Sequence, residues 1–163
     1  MTQTCCKEKR VAMFPGTFDP FTIGHESIVT RALELFDEVV VAVVNNAEKR
    51  SFMTLEQRMQ FIQSVYEGNE RVRVVAFDGL MLDVAREQGA TCVLRGIRTV
   101  QDFEYEKNLG DIYRATGNLE TVLLCSYPEL GFVSSTMVRA HLIHGYDVSA
   151  YLPKNADLSL LKK

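Results

Sequence analysis

Long apolar runs are absent from this sequence of 163 residues. None approaches the roughly 20 residues that a membrane-spanning helix requires, so we expect no membrane span. Residues 1–9 contain no apolar core, and we expect a polar lead-in there rather than a signal peptide. An excess of positive charge is also missing, because 18 Lys and Arg residues face 21 Asp and Glu residues, for a net charge of −3. This balance gives non-specific nucleic-acid binding no support and favours small-molecule partners held by local basic residues.

Cysteine is scarce, with four residues and no Cys-x-x-Cys spacing. Cys5 and Cys6 are adjacent and poorly placed to bond each other, while Cys92 and Cys125 fall inside predicted strands. A zinc site is therefore not expected, and a reduced, cytoplasmic compartment fits best. The sequence contains 47% hydrophobic residues. Residues 10–163 are numerous enough to form one domain with a proper core, and we expect a single domain there.

Several enzyme signatures are missing as well. The sequence contains neither the P-loop pattern GxxxxGK[ST] nor the dinucleotide-binding pattern GxGxxG. No Ser-His-Asp or Cys-His nucleophile set can be assembled from it. His141 and His144 lie three apart on a late predicted helix, where we expect surface residues rather than ligands.

The sequence does contain a regular alternation of short β-rich runs and longer helical patterns. Strands are predicted at Val11–Phe14, 38–45, Val72–Phe77, Thr91–Leu94 and Thr121–Ser126. Helices are predicted at 26–36, from Thr54 to near Gly68, at 80–88, at 100–115 and, after residues 134–136, up to about residue 144, with a final short helix starting at Pro153. Five β-α units in a row predict an α/β fold with a doubly wound, five-stranded parallel sheet and right-handed crossovers.

The stretch Phe14–His25 joins the first strand to the first helix. Such a junction directs free backbone N–H groups and the positive end of the helix dipole at one spot, which suits a phosphate. Gly16 would let a ligand approach the backbone, Thr17 adds a hydroxyl, and Thr22 is the predicted N-cap. A His25 cation would oppose the dipole unless a ligand phosphate offset it. A capped loop with a surface histidine is the alternative interpretation.

Three further predicted strands are followed by basic or hydroxyl side chains. Lys49, with Arg50 as a competing candidate, follows the second strand, and Arg95 and Arg98 follow the fourth. Ser134–Thr136 follow the fifth. Because ligands bind beyond the carboxyl ends of parallel strands, we expect these side chains to converge on one edge of the sheet.

Two of these groups have a structural alternative. Arg95 and Arg98 could grip phosphates, or they could form salt bridges with Asp102, Glu104 or Glu106. The three hydroxyls of residues 134–136 could cap a helix, could form a second anion site, or could do both.

The predicted site is rich in phosphate donors and poor in acid–base pairs. This favours phosphoryl or nucleotidyl transfer to a nucleophile that is already ionised, such as a phosphomonoester. Catalysis then reduces to alignment and to stabilising charge on a pentacovalent α-phosphorus. Magnesium would be held mainly by the triphosphate, so no dedicated protein cage is expected.

The residues Gly16-Thr17-Phe18-Asp19-Pro20, followed by Thr22-x-Gly24-His25, resemble the signature of the nucleotidyltransferase superfamily with the (H/T)xGH motif. Within it, the chain resembles bacterial phosphopantetheine adenylyltransferases over roughly residues 10–152. The further matching motifs are Lys49, Phe52-x-Thr54-Leu55-Glu56-x-Arg58, Leu80-Met81, Arg95-Gly96-x-Arg98, Asp102-Phe103-Glu104-Tyr105-Glu106 and Ser134-Ser135-Thr136.

The resemblance implies a Rossmann-like nucleotidyltransferase fold and an enzyme that joins the AMP part of ATP to 4′-phosphopantetheine, releasing pyrophosphate and giving dephospho-coenzyme A. The implied pantetheine-phosphate site is Thr17, Lys49, Met81 and Arg95. The implied ATP site is Thr17, Phe18, His25, Gly96, Ile97, Arg98, Glu106, Leu130, Gly131, Phe132, Val133, Ser134, Ser135 and Thr136. His25 is similar to the family's transition-state stabiliser, with Lys49 and Arg95 assisting. Also implied are Mg²⁺ carried by ATP, a cytoplasmic homohexamer built as a dimer of trimers, and feedback binding of coenzyme A.

This sequence departs from the family pattern at three places. Phe14 stands where many members have tyrosine, and Thr136 replaces the third serine. The segment 126–131 differs from the more usual Pro-Ser-x-x-Trp stretch. Two alternatives stay open: a related transferase acting on nicotinamide mononucleotide or glycerol 3-phosphate, and a non-catalytic nucleotide-sensing domain.

Overall fold

The computed structural model describes residues 9–45 and 51–161. Its strands are β1 Val11–Gly16, β2 Glu38–Val44, β3 Val72–Phe77, β4 Cys92–Ile97 and β5 Glu120–Cys125. Its helices are α1 Ile23–Leu35, α2 Leu55–Val65, α3 Met81–Glu87, α4 Val100–Gly117 and α5 Ser135–Ile143, with 3-10 turns at Pro128–Leu130, Ser149–Tyr151 and Leu158–Leu161. All strand pairs are parallel, in the order β3-β2-β1-β4-β5. The predicted five-stranded, doubly wound sheet is confirmed.

Strand β2 shows why helices cover both faces of this sheet. Val39, Val41 and Val43 pack into one core with α1 and α2, while Val40 and Ala42 pack into a second core with α3. All five side chains are fully buried. An uninterrupted apolar run is the expected pattern of a parallel strand with no face open to water.

Local capping signals place several helix ends correctly. Thr54 caps α2 in a reciprocal box with Gln57, as predicted. Asn118 ends α4 in the left-handed conformation, with φ 52°. The helix predicted at Pro153 is wrong. The last turn begins at Leu158 instead, where the Asp157 carboxylate accepts the Ser159 N–H at 3.0 Å.

The two central strands separate at their carboxyl ends. Strands β1 and β4 pair only at Ala12–Cys92 and Met13–Val93, whereas β1 pairs with β2, and β4 with β5, along all six residues. The order of the strands also reverses between β1 and β4. This fork is therefore the switch point at which a doubly wound sheet binds ligands.

Strand β4 is longer than predicted, because its pairing with β5 continues to Ile97. Arg95 therefore lies inside the strand and not directly after it. Cys92 lies inside β4 and Cys125 ends β5, as expected, whereas Cys5 and Cys6 lie outside the described residues. Among the helices of the described ranges, none is long and apolar enough to cross a membrane.

Candidate active site

A cavity of about 330 Å³ opens at the fork between β1 and β4. The loop between β1 and α1, the end of β4, the start of α4 and the start of α5 form its walls. Twelve residues of the predicted sites line it: Thr17, Phe18, His25, Arg95, Gly96, Arg98, Glu106, Leu130, Val133, Ser134, Ser135 and Thr136. The predicted convergence is thus confirmed for the segments that follow β1, β4 and β5. Lys49 and its alternative Arg50 lie outside the described residues.

Four other predicted site residues are not among the lining residues. Met81 opens α3 and packs against the second core, and Phe132 is 63% exposed with its ring beside Tyr151. Ile97 ends β4, where its carbonyl accepts the Ser126 N–H at 2.8 Å. Gly131 follows the 3-10 turn whose last residue, Leu130, does line the cavity.

The cavity also contains residues that sequence reasoning did not assign to a site. Ile28 and Ser126 are examples, and no motif marks either of them. Of the late histidines, His144 is exposed as expected, but His141 is half-buried beside the Tyr146 and Tyr151 rings.

The loop between β1 and α1 is held in place by its own side chains. The backbone of Phe18 has a positive φ of 50°, which residues other than glycine rarely adopt. Its ring lies under Gly16, where an added Cβ would come within 2.7 Å of the ring. Gly16 is therefore required by the packing of Phe18 as well as by any ligand above it.

The buried Asp19 carboxylate ties this loop to the segment before α2. It accepts the Phe52 N–H at 2.7 Å and the Met53 N–H at 2.8 Å. Arg58, which is also buried, donates to the Thr17 carbonyl at 2.8 Å and to the Val44 carbonyl at 3.0 Å. Asp19 is thus committed to structure, since each of its oxygens already accepts a backbone N–H.

The hydroxyls at the start of α5 have protein partners. Ser134 caps the helix by accepting the Met137 N–H at 3.2 Å, and Ser135 donates to the Pro20 carbonyl at 2.8 Å. Thr136 accepts from Arg139 at 3.1 Å. Capping is therefore confirmed. The start of α5 also lines the cavity, and a helix N-terminus suits an anion.

His25 is held in one tautomer by the N-cap of its own helix. Its Nδ1 accepts the Thr22 backbone N–H at 3.0 Å, so the proton of the neutral ring lies on Nε2. The ring packs against Phe18 and Phe21, with centroid distances of 5.1 and 5.3 Å. Burial, aided by the nearby Arg98 and Arg95 guanidinium groups, lowers the His25 pKa to about 4.

At neutral pH His25 is therefore an uncharged donor. The expected conflict between a histidine cation and the helix dipole does not arise, and no ligand phosphate is needed to remove it. A neutral Nε2–H can donate to a phosphate oxygen that gains charge during reaction.

Both cavity arginines are paired with carboxylates of α4. Arg95 Nε and Nη2 contact the two Glu106 oxygens at 2.7 and 2.5 Å. Arg98 Nε lies 3.3 Å from Asp102, which also accepts the Arg98 backbone N–H at 3.0 Å. Burial raises the Asp102 pKa, but these Arg98 contacts outweigh it and hold the pKa below its ordinary value. The salt-bridge alternative is thus confirmed, and both guanidinium groups still line the cavity.

Comparisons with known proteins identify the family of this chain. The cytidylyltransferase-like family model matches residues 13–141. A phosphopantetheine adenylyltransferase of Bacteroides thetaiotaomicron is 44% identical over 92% of this chain and 99% of its own length. One of Phocaeicola vulgatus is 48% identical over 89% of this chain and 96% of its own length.

Solved structures share the fold at low identity. A bifunctional NMN adenylyltransferase/ADP ribose pyrophosphatase of Francisella tularensis gives a TM-score of 0.68 at 17% identity, over 94% of this chain and 48% of that one. A lipopolysaccharide core biosynthesis protein of Thermoplasma volcanium gives 0.58 at 21% identity, over 73% of this chain and 98% of that one. At this identity the likeness supports the fold alone.

Proposed function

Since this chain belongs to the cytidylyltransferase-like family, and within it to the phosphopantetheine adenylyltransferases, we propose that it transfers the adenylyl group of ATP to 4′-phosphopantetheine. The products are dephospho-coenzyme A and pyrophosphate, in the penultimate step of coenzyme A biosynthesis. The observation that carries the proposal is the neutral Nε2–H donor of His25 beside two guanidinium groups in one cavity at the switch point.

The mechanism is an in-line attack by the acceptor's phosphate on the α-phosphorus of ATP. A phosphate is already ionised at neutral pH, so no general base is required. His25 donates from Nε2 to an α-phosphate oxygen and stabilises the charge that develops there. Arg95, together with Lys49, holds the acceptor's phosphate, and Arg98 with the start of α5 holds the triphosphate.

The lining residues of the predicted set form the proposed substrate site. Thr17 lies between the two substrates, and Phe18, Gly96, Leu130 and residues 133–136 belong to the ATP side, to which the resemblance also assigns Glu106. Met81, Ile97, Gly131 and Phe132 remain predictions based on the resemblance.

Mg²⁺ enters with ATP in this proposal. Three carboxylates near the cavity already have strong partners: Asp102 and Glu106 bind arginines, and Asp19 binds backbone N–H groups. The donor set therefore suits a cation held by the triphosphate oxygens rather than by a protein cage.

The wider context follows from the family resemblance. We propose a cytoplasmic homohexamer, arranged as a dimer of trimers, with one domain over residues 10–163 and feedback binding of coenzyme A. Light scattering on the purified protein tests the assembly.

Identification of the product tests the proposed reaction. Incubation with MgATP and 4′-phosphopantetheine should yield a species with the mass of dephospho-coenzyme A, in equal amount to the pyrophosphate. Pyrophosphate without that species would contradict the proposal, because ATP would then be consumed by another route.

A further inference from the structure

Both carboxylate oxygens of Glu106 bind the same arginine, Arg95. Its two oxygens accept from Nε and Nη2 of Arg95 at 2.7 and 2.5 Å. The two side chains are only 10% and 24% exposed, so water screens this pair weakly. Glu106 is therefore directed at Arg95, although the family resemblance assigns it to ATP.

The donors of Arg95 can be counted. A guanidinium group has five N–H groups. Two of them go to Glu106, and Nη1 supplies a third to the Pro15 carbonyl at 2.7 Å, across the fork between β1 and β4. Counted over the residues that the structure describes, one N–H on Nη1 and one on Nη2 remain. A guanidinium group with free N–H groups can donate charge-assisted hydrogen bonds to a phosphate.

The position of Glu106 on its helix indicates a dedicated role. Among the residues of α4, all of which the structure describes, Glu106 is the one that is buried. A buried carboxylate is costly unless it is paired. The neighbouring ion pair of α4, Lys107 with Asp111, is by contrast more than half exposed on both sides.

We propose that Glu106 is a positioning residue that fixes the Arg95 guanidinium so that its two remaining N–H groups take the phosphate of the acceptor. This inference rests on the proposed function. Arginine is long and has many rotamers, so fixing it beforehand removes an ordering cost from acceptor binding. The opposite relation, in which Glu106 competes with the phosphate for Arg95, predicts the opposite sign.

The test compares KM for 4′-phosphopantetheine and for ATP in four variants: Glu106→Ala, Glu106→Gln, Arg95→Ala and the double alanine variant. Glu106→Ala should raise the acceptor KM at least about 30-fold, the scale for losing one partner of a buried ion pair, and leave the ATP KM within about twofold. Glu106→Gln should recover part of the loss, because its amide oxygen can still accept one N–H. The acceptor KM of the double variant should be no higher than that of Arg95→Ala, since both changes remove the same interaction.

Asp111→Ala is the matched control, because it breaks an exposed ion pair on the same helix and should leave both KM values unchanged. An unchanged or lower acceptor KM in Glu106→Ala, a rise confined to the ATP KM, or additive losses in the double variant would overturn the inference.

Failure of the unmodified protein to use 4′-phosphopantetheine would instead overturn the proposed function. The same comparison then applies to whichever phosphorylated acceptor the protein does use. Melting curves identify a variant that fails to fold, and Glu106→Gln then carries the test.

Discussion

His25 uses its two ring nitrogens for different purposes. Nδ1 accepts the Thr22 N–H and fixes the ring, which leaves the Nε2 proton for a ligand. The sequence predicted Thr22 as the N-cap of α1. It did not predict the capping box, because a histidine at the third position of such a box is unusual. The tautomer could not be predicted either, because it depends on one three-dimensional contact.

Replacing His25 by alanine should lower kcat about 10²–10³-fold, as expected for the loss of one donor to developing charge. ATP binding, measured by calorimetry, should stay nearly intact, because the lost contact strengthens mainly in the transition state. His144→Ala is the control, since His144 is exposed at the end of α5. Equal losses in ATP affinity and in kcat would assign His25 to ground-state binding instead.

The lowered His25 pKa also has a consequence for stability. The folded ring takes up a proton near pH 4, whereas the unfolded ring does so near its ordinary value of 6.5. Between these values the unfolded state binds more protons, so this group's contribution to stability falls as the pH falls.

From about pH 7 to about pH 5, the His25 contribution should cost about 2 kcal/mol of unfolding free energy, and the His25→Ala variant should lack this loss. Urea unfolding of both proteins at the two pH values measures the difference. Parallel losses in the two proteins would show that the ring is not held neutral.

At the scale of elements, the loop between β1 and α1 depends on partners distant in sequence. Asp19 accepts N–H groups from the segment before α2, and Arg139 of α5 donates to the Asp19 carbonyl at 2.7 Å. Helix caps such as Thr54 are local and were predicted, whereas contacts over 34 and 120 residues leave no local pattern. The Asp19 motif marked a family but did not disclose this structural role.

Asp19→Ala should destabilise the protein by about 2–4 kcal/mol, because it leaves two backbone N–H groups without their acceptor. Asp147→Ala is the matched control: its carboxylate also accepts a backbone N–H, from Ser149, but in an exposed turn. The control should lose clearly less unfolding free energy than Asp19→Ala in urea unfolding. Similar losses in both variants would contradict the structural role given to Asp19.

At the scale of the whole molecule, topology accounts for the site. Five alternating units predict a parallel sheet, and the reversal of strand order between β1 and β4 brings distant loops to one edge. The parallel sheet and the convergence of His25, Arg95 and Arg98 followed from the sequence, whereas the order of the strands did not. Pairing of Arg95 with Glu106 rather than Glu104 could not be chosen beforehand, because it depends on how α4 is rotated against β4.

The most direct test of the central claim is pyrophosphate release from MgATP with 4′-phosphopantetheine, with nicotinamide mononucleotide and with no acceptor. The family membership and the cavity predict release with 4′-phosphopantetheine alone. Release with nicotinamide mononucleotide instead would contradict the proposed acceptor while keeping the phosphate site. If no acceptor leads to pyrophosphate release, in protein that binds ATP, the result would contradict transferase activity and favour a nucleotide-sensing role.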